Sequence, residues 1–174
     1  MNNMQHKFKH GLVGLATLLG ATTAHAQLQG ELNFEDSNGL PVATTHFVNE
    51  GSAPINITDV IRSDLSRSGG LINFPVGGAT AGIENANPAE WSAKGARALV
   101  VGNVTAEGSN YNIKLRLFDA TTKASLGDYA LSVPASGLRS AGHRMADFIY
   151  EKLMNKRGAF STRLSYVDRV NGKY

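Results

Sequence analysis

No cysteine occurs in the 174 residues, so neither a disulfide nor a lipoprotein anchor is expected, and stability has to come from a hydrophobic core. Long apolar runs are missing as well. The stretch from Gly11 to Gly20 falls short of the roughly 20 residues that a bilayer span requires, and no later segment approaches that length. Charge of one sign is also scarce. The chain has 17 Lys+Arg against 14 Asp+Glu, and with Lys7 and Lys9 assigned to a cleaved leader the remainder carries 15 against 14, a formal charge of +1. A nucleic-acid surface needs a clustered basic face with interleaved aromatics. The nearest candidate, Lys152 with Lys156 and Arg157, reads better as the carbonyl end of a helix. No nucleic-acid partner is expected. His46 has no second histidine or carboxylate at metal-site spacing, so no metal and no cofactor is expected either. The glycine-rich stretch Gly77 to Ala86 lacks a Gly-Lys-Ser/Thr ending and any G-x-G-x-x-G ahead of a helix, which makes it a surface loop rather than a phosphate cradle.

The first 26 residues have the layout of an export signal. Lys7 and Lys9 form the basic region, Leu12 to Leu19 the apolar region, and Ala24-His25-Ala26 the small-residue site, with cleavage expected between Ala26 and Gln27. The 148 residues that remain suit a single periplasmic domain with no transmembrane segment. From Gln27 to Gly39 periodicity is weak and the stretch ends in the turn cluster Asp36-Ser37-Asn38-Gly39. It reads either as a frayed terminus or as a mobile peptide that pairs with a partner by strand addition or by folding on contact.

Leu40 to Val48 is a predicted strand, and Pro54 to Leu65 a helix capped by Asn56 or Thr58, with Ile57, Val60, Ile61 and Leu65 buried and Gly69-Gly70 ending it. Asp64 reads as a surface or helix-network residue. Leu71 to Val76 is a short strand, and Asn87-Pro88-Ala89-Glu90 opens a short helix in the pattern of a capping box, with Trp91 as a core plug. Ala96 to Thr105 is continuously apolar, which requires cover on both faces and predicts a central strand. Tyr111 to Asp119 and Leu126 to Val133 alternate, and with the preceding strand they form a meander. Leu138, Ala141, Met145, Phe148, Ile149 and Leu153 recur at spacings of three and four and define the buried face of a long helix stopped at Arg157-Gly158. Phe160 to Val167 is rich in β-formers and reads as one further strand. The sum is an α/β domain: a mixed sheet of about five strands with helices packed on it.

Pro88-Ala89-Glu90-Trp91-Ser92-Ala93-Lys94-Gly95 ahead of an apolar strand, Asp64-Leu65 followed by Ser68-Gly69, Ala141-Gly142-His143 and Gly158-Ala159-Phe160 together resemble the amino-terminal domain of the TolB family. The resemblance runs from about Leu40 to Tyr174. It departs at Thr44-Thr45-His46-Phe47, where the family tends to an apolar run ending in Pro-Phe. It implies residues 1–26 as signal, 27–39 as a mobile segment, 40–158 as the α/β domain and 159–174 as the start of a β-propeller that the chain does not contain. It further implies a role in the Tol-Pal system of the cell envelope, in outer-membrane integrity, constriction at division and import of colicin-type proteins, with a truncated chain. By position, the segment after signal cleavage corresponds to the one relatives use to contact TolA. Leu28, Leu32 and Phe34 are then its apolar anchors, and Glu31 and Asp36 its polar contacts. A contact with Pal is expected only with a propeller. The alternative is a free-standing periplasmic binding module that has lost the Tol role. An enzyme is the competitor from another class, since His143 and Asp147 lie at i, i+4 with Ser140 and Ser136 near in sequence. One helix offers poor geometry for a triad, and no catalytic residue is assigned.

Overall fold

The computed structural model describes residues 39–162. Ala26 and Gln27 at the expected cleavage point, Leu28, Glu31, Leu32, Phe34 and Asp36, and all but the first three residues of the strand expected from Phe160 to Val167 lie outside the described residues.

The chain folds as β1 (Leu40–Thr44), α1 (Ile57–Arg67), β2 (Leu71–Asn73), α2 (Pro88–Ala93), β3 (Ala98–Glu107), β4 (Asn110–Asp119), β5 (Ser125–Pro134) and α3 (Leu138–Met154). Five strands make one sheet in the order β2-β1-β3-β4-β5. β1 runs parallel to β2 and β3, because α1 and then α2 return the chain to the same end of the sheet before the next strand begins. β3, β4 and β5 follow as an antiparallel meander with Val100 opposite Leu117 and Leu115 opposite Tyr129. The mixed five-stranded sheet with helices packed on it is the architecture that the sequence pattern predicts.

The unbroken apolar run of β3 is explained by its central place. Ala98, Val100 and Val104 point into the larger core beneath α1 and α3, while Leu99 and Val101 join Ala43, Ala96 and Trp91 in a second core on the opposite face. β4 shows the predicted alternation, with Ile113, Leu115 and Leu117 fully buried and Lys114 exposed between them. On that open face Arg116 holds Asp128 of β5 through two parallel hydrogen bonds of 2.6 and 2.7 Å.

α1 begins one residue after Asn56, whose side chain accepts from the Asp59 amide at 3.1 Å. Pro54 lies ahead of the helix rather than in its first turn. Ile57, Val60, Ile61 and Leu65 are buried as the spacing predicts. They meet α3, where Leu138, Ala141, Met145, Ile149 and Leu153 are buried and Phe148 is half-buried, stacked on Tyr129 at 5.2 Å. Gly142 permits the close approach, because a Cβ there would stand 2.8 Å from Cγ1 of Val60.

Four expected boundaries are corrected. β1 ends at Thr44, and His46 and Val48 continue it only as isolated bridges to Thr80 and Asn103. β2 stops at Asn73, and Phe74 turns its ring edge-on to Trp91 at a centroid distance of 6.3 Å. α3 ends at Met154, and Asn155 caps it in the left-handed conformation at φ 50°, three residues before the glycine expected to do so. Phe160 and Ser161 form a turn, not the opening of a strand. A carboxylate from α3 claims their amides, a contact that residue propensity has no means of expressing.

Candidate functional site

The point where the amino-terminal segment joins the domain is fixed by backbone geometry. Gly39 sits at φ 73°, and a Cβ there would stand 3.2 Å from both the Gly70 carbonyl oxygen and Cγ2 of Ile72. The Leu40 amide donates to the same Gly70 carbonyl at 3.0 Å. Gly39 and the start of β1 thus lie next to β2, an edge strand of the sheet among the described residues. Beside it Ile72 is 42% exposed, and it stands as the exposed large hydrophobic among the described residues.

A polar cluster lies at the other end of β1. Glu50 is buried, and its carboxylate accepts from the Thr58 amide at 2.6 Å, from the Thr58 hydroxyl, and from Nδ1 of His46 at 3.4 Å. Nε2 of His46 is 3.4 Å from Nη1 of Arg62, which makes that ring nitrogen the acceptor and places the proton on Nδ1 toward Glu50. Arg62 also donates to the Thr44 carbonyl at 3.0 and 2.5 Å. His46 and Glu50 therefore come together at i, i+4. Among the described residues no group of three or more potential metal ligands forms around them. The cluster explains itself structurally: Glu50 sits at the amino terminus of α1, where free amides and the helix dipole favour an anion. A cleft of about 370 Å³ opens beside it, lined by His46, Asn49, Glu50, Asn56 and Thr80 among others. Glu50 was missed in the sequence because it lies eight positions ahead of Thr58, across a short 3-10 turn and irregular chain, and no local spacing marks such a contact.

The proposed His143–Asp147 pairing is not formed. Nδ1 of His143 lies 2.6 Å from Oδ2 of Asp64 on α1, and Asp64 also accepts from Arg67 at 2.7 Å. Asp64, only 2% exposed, is thus a buried link between α1 and α3 and not a surface residue. Its role in a helix network is as the sequence reading has it. Asp147 instead accepts from the amides of Phe160 at 2.7 Å and Ser161 at 3.0 Å, which pins the chain after α3 back onto the helix. Ser136 and Ser140 are exposed. In the Arg116–Asp128 pair the hydrogen bond raises the guanidinium and holds the Asp128 carboxyl below the ordinary carboxylate value. No helix among the described residues is long and apolar enough to cross a membrane.

Comparison with known proteins gives the following. Residues 31–126, over half of the chain, match the family described as the TolB amino-terminal domain. Among solved structures, TolB from Acinetobacter baumannii superposes with a TM-score of 0.62 at 27% identity, covering 71% of this chain and 30% of that one. The chain thus spans under a third of that protein's length. A lipoprotein from Neisseria meningitidis gives a TM-score of 0.42 at 21% identity over 54% of this chain and 79% of its own. The C-terminal domain of LpoB from Salmonella enterica gives 0.42 at 12% identity, over 58% of this chain and 87% of that one.

Proposed function

Since the chain belongs to the TolB amino-terminal domain family, we propose that it is a periplasmic, non-enzymatic coupling module of the Tol-Pal system. In this reading residues 1–26 direct export and are removed after Ala26, residues 40–158 are the domain, and residues 159–174 lead toward a propeller in longer relatives. The segment Gln27 to Gly39 contacts a TolA-like inner-membrane protein, with Leu28, Leu32 and Phe34 as apolar anchors and Glu31 and Asp36 as polar contacts. Through that contact the domain serves outer-membrane integrity, constriction at division and import of colicin-type proteins.

One observation carries the proposal. Gly39, where the described domain begins, stands against Ile72, an exposed apolar residue on a short edge strand, and this supports the reading of the preceding sequence as a partner-binding segment. The polar clusters, by contrast, are occupied by contacts within the domain, with Glu50 serving α1 and Asp64 joining α1 to α3.

Calorimetric titration of the TolA C-terminal domain into the chain tests this. Binding is expected with residues 27–34 present and should vanish when they are deleted. Equal affinity after the deletion would refute the terminal-peptide role. No binding in either form would favour the free-standing binding module.

A further inference from the structure

β5 is the second edge of the sheet among the described residues, and it is ten residues long. Gly127 and the register shift at Leu117/Phe118 disturb one end and Pro134 closes the other, but Asp128 to Val133 alternates with no proline, lysine or bulge. Edges of this length are commonly interrupted or charged, because a regular one offers a row of backbone donors and acceptors to another strand. Tyr129 and Leu131 face the core side and are only half-buried, while Asp128, Ala130 and Ser132 face the open side and are exposed.

The side chains along this edge match themselves. Antiparallel pairing of β5 with its own copy about Ala130 sets Tyr129 opposite Leu131 of the second copy on the core side and Asp128 opposite Ser132 on the open side, and each match occurs twice. An aromatic ring then meets an aliphatic side chain, a carboxylate meets a hydroxyl donor, and the position on the axis is a small alanine. The flank of α3 beside the edge repeats the self-match in charge. Arg144 and Glu151 lie about two turns apart with Phe148 between them. With Tyr129 these three line one groove of about 260 Å³. Along α3 the flank runs positive, apolar, negative, and a two-fold axis sets it against negative, apolar, positive.

We propose that a second copy of this chain docks on the β5 edge, the two β5 strands running antiparallel about a two-fold axis at Ala130 and the two sheets joining into one. A strand from another protein would use the same backbone groups, but it would have to supply the apolar and charged matches that a second copy already carries. The contact from Asp128 to Val133 with its two α3 flanks is small for a protein interface, so the pair is a reversible dimer that forms by mass action.

The test follows the full chain by sedimentation and by hydrogen exchange of the β5 amides that do not bond β4, at two concentrations about a hundredfold apart. A shift from monomer to dimer is expected, with those amides exchanging at least about fivefold more slowly at the higher concentration and β3 unchanged. Ala130→Lys places two like charges on the axis at an exposed position and should abolish both effects with the melting temperature kept. Arg144→Glu should weaken association, and adding Glu151→Arg to it should restore association by reversing the flank in both copies. A monomer at both concentrations overturns the proposal. So does β5 protection that is independent of concentration, which would place the cover within one chain, and so does a dimer that Ala130→Lys leaves intact. A charge reversal that fails to restore association overturns the two-fold arrangement.

Discussion

The inter-helix contact between His143 and Asp64 yields the sharpest test of the core. Asp64 is 2% exposed and accepts one charge-assisted bond from Arg67 and one short bond from His143 at 2.6 Å. Replacing His143 by Ala leaves a buried carboxylate with one partner instead of two. A hydrogen bond to a charged group contributes about 1.5–3 kcal/mol. Arg67 remains to satisfy part of the carboxylate, so the expected loss is about 2 kcal/mol, below the 3–5 kcal/mol typical of a buried ion left alone. With a urea slope of about 2 kcal/mol/M, the unfolding midpoint should fall by about 1 M. Trp91 is the only tryptophan in the chain and sits in the opposite core, so its fluorescence follows the whole domain rather than the mutated contact. Two double-mutant cycles separate this pairing from the one suggested by helix spacing. His143→Ala with Asp64→Asn should show a coupling of about 1–2 kcal/mol, and His143→Ala with Asp147→Asn no more than about 0.5 kcal/mol, the scale of an exposed i, i+4 pair. The reverse order would refute the reasoning.

Three further outcomes follow from the structure. Trp91→Ala removes the plug of the second core, where the side chain is 6% exposed, and should cost about 3–5 kcal/mol in chemical denaturation without altering the α1–α3 contact. Asp147→Asn weakens the clasp on Phe160 and Ser161, so their amides should exchange faster while the melting temperature changes little; unchanged exchange would remove the clasp from the account. Asp128 has its carboxyl held below the ordinary value by Arg116, so the pair stabilises the fold above the normal carboxylate range and that contribution is lost as pH falls through the lowered value. Because both groups are exposed, the effect should be small and should fade with added salt. Asp128→Asn should therefore flatten the acid limb of the stability curve only at low ionic strength.

The sequence by itself determined the elements and their faces. Period-two alternation marked β4, the continuous apolar run marked β3 as central, and the three-and-four spacing from Leu138 to Leu153 marked the buried side of α3. These are short-range signals, because a strand or a helix decides locally which side chains share a face. The order Asn87-Pro88 ahead of Trp91 likewise marked the start of α2. Only the tertiary structure decided which polar groups meet. His143 found Asp64, 79 positions away, in preference to Asp147 four residues along its own helix, since Gly142 lets α1 approach and the buried carboxylate requires a donor. Asp147 was thereby left for the amides of Phe160 and Ser161, and what had read as the start of a strand became a turn. Glu50 filled the amino terminus of α1 from a loop with no periodicity to announce it. A hydrophobic face is written into residue spacing, whereas a buried charge selects its partner from whatever the packed helices and loops bring within about 3 Å.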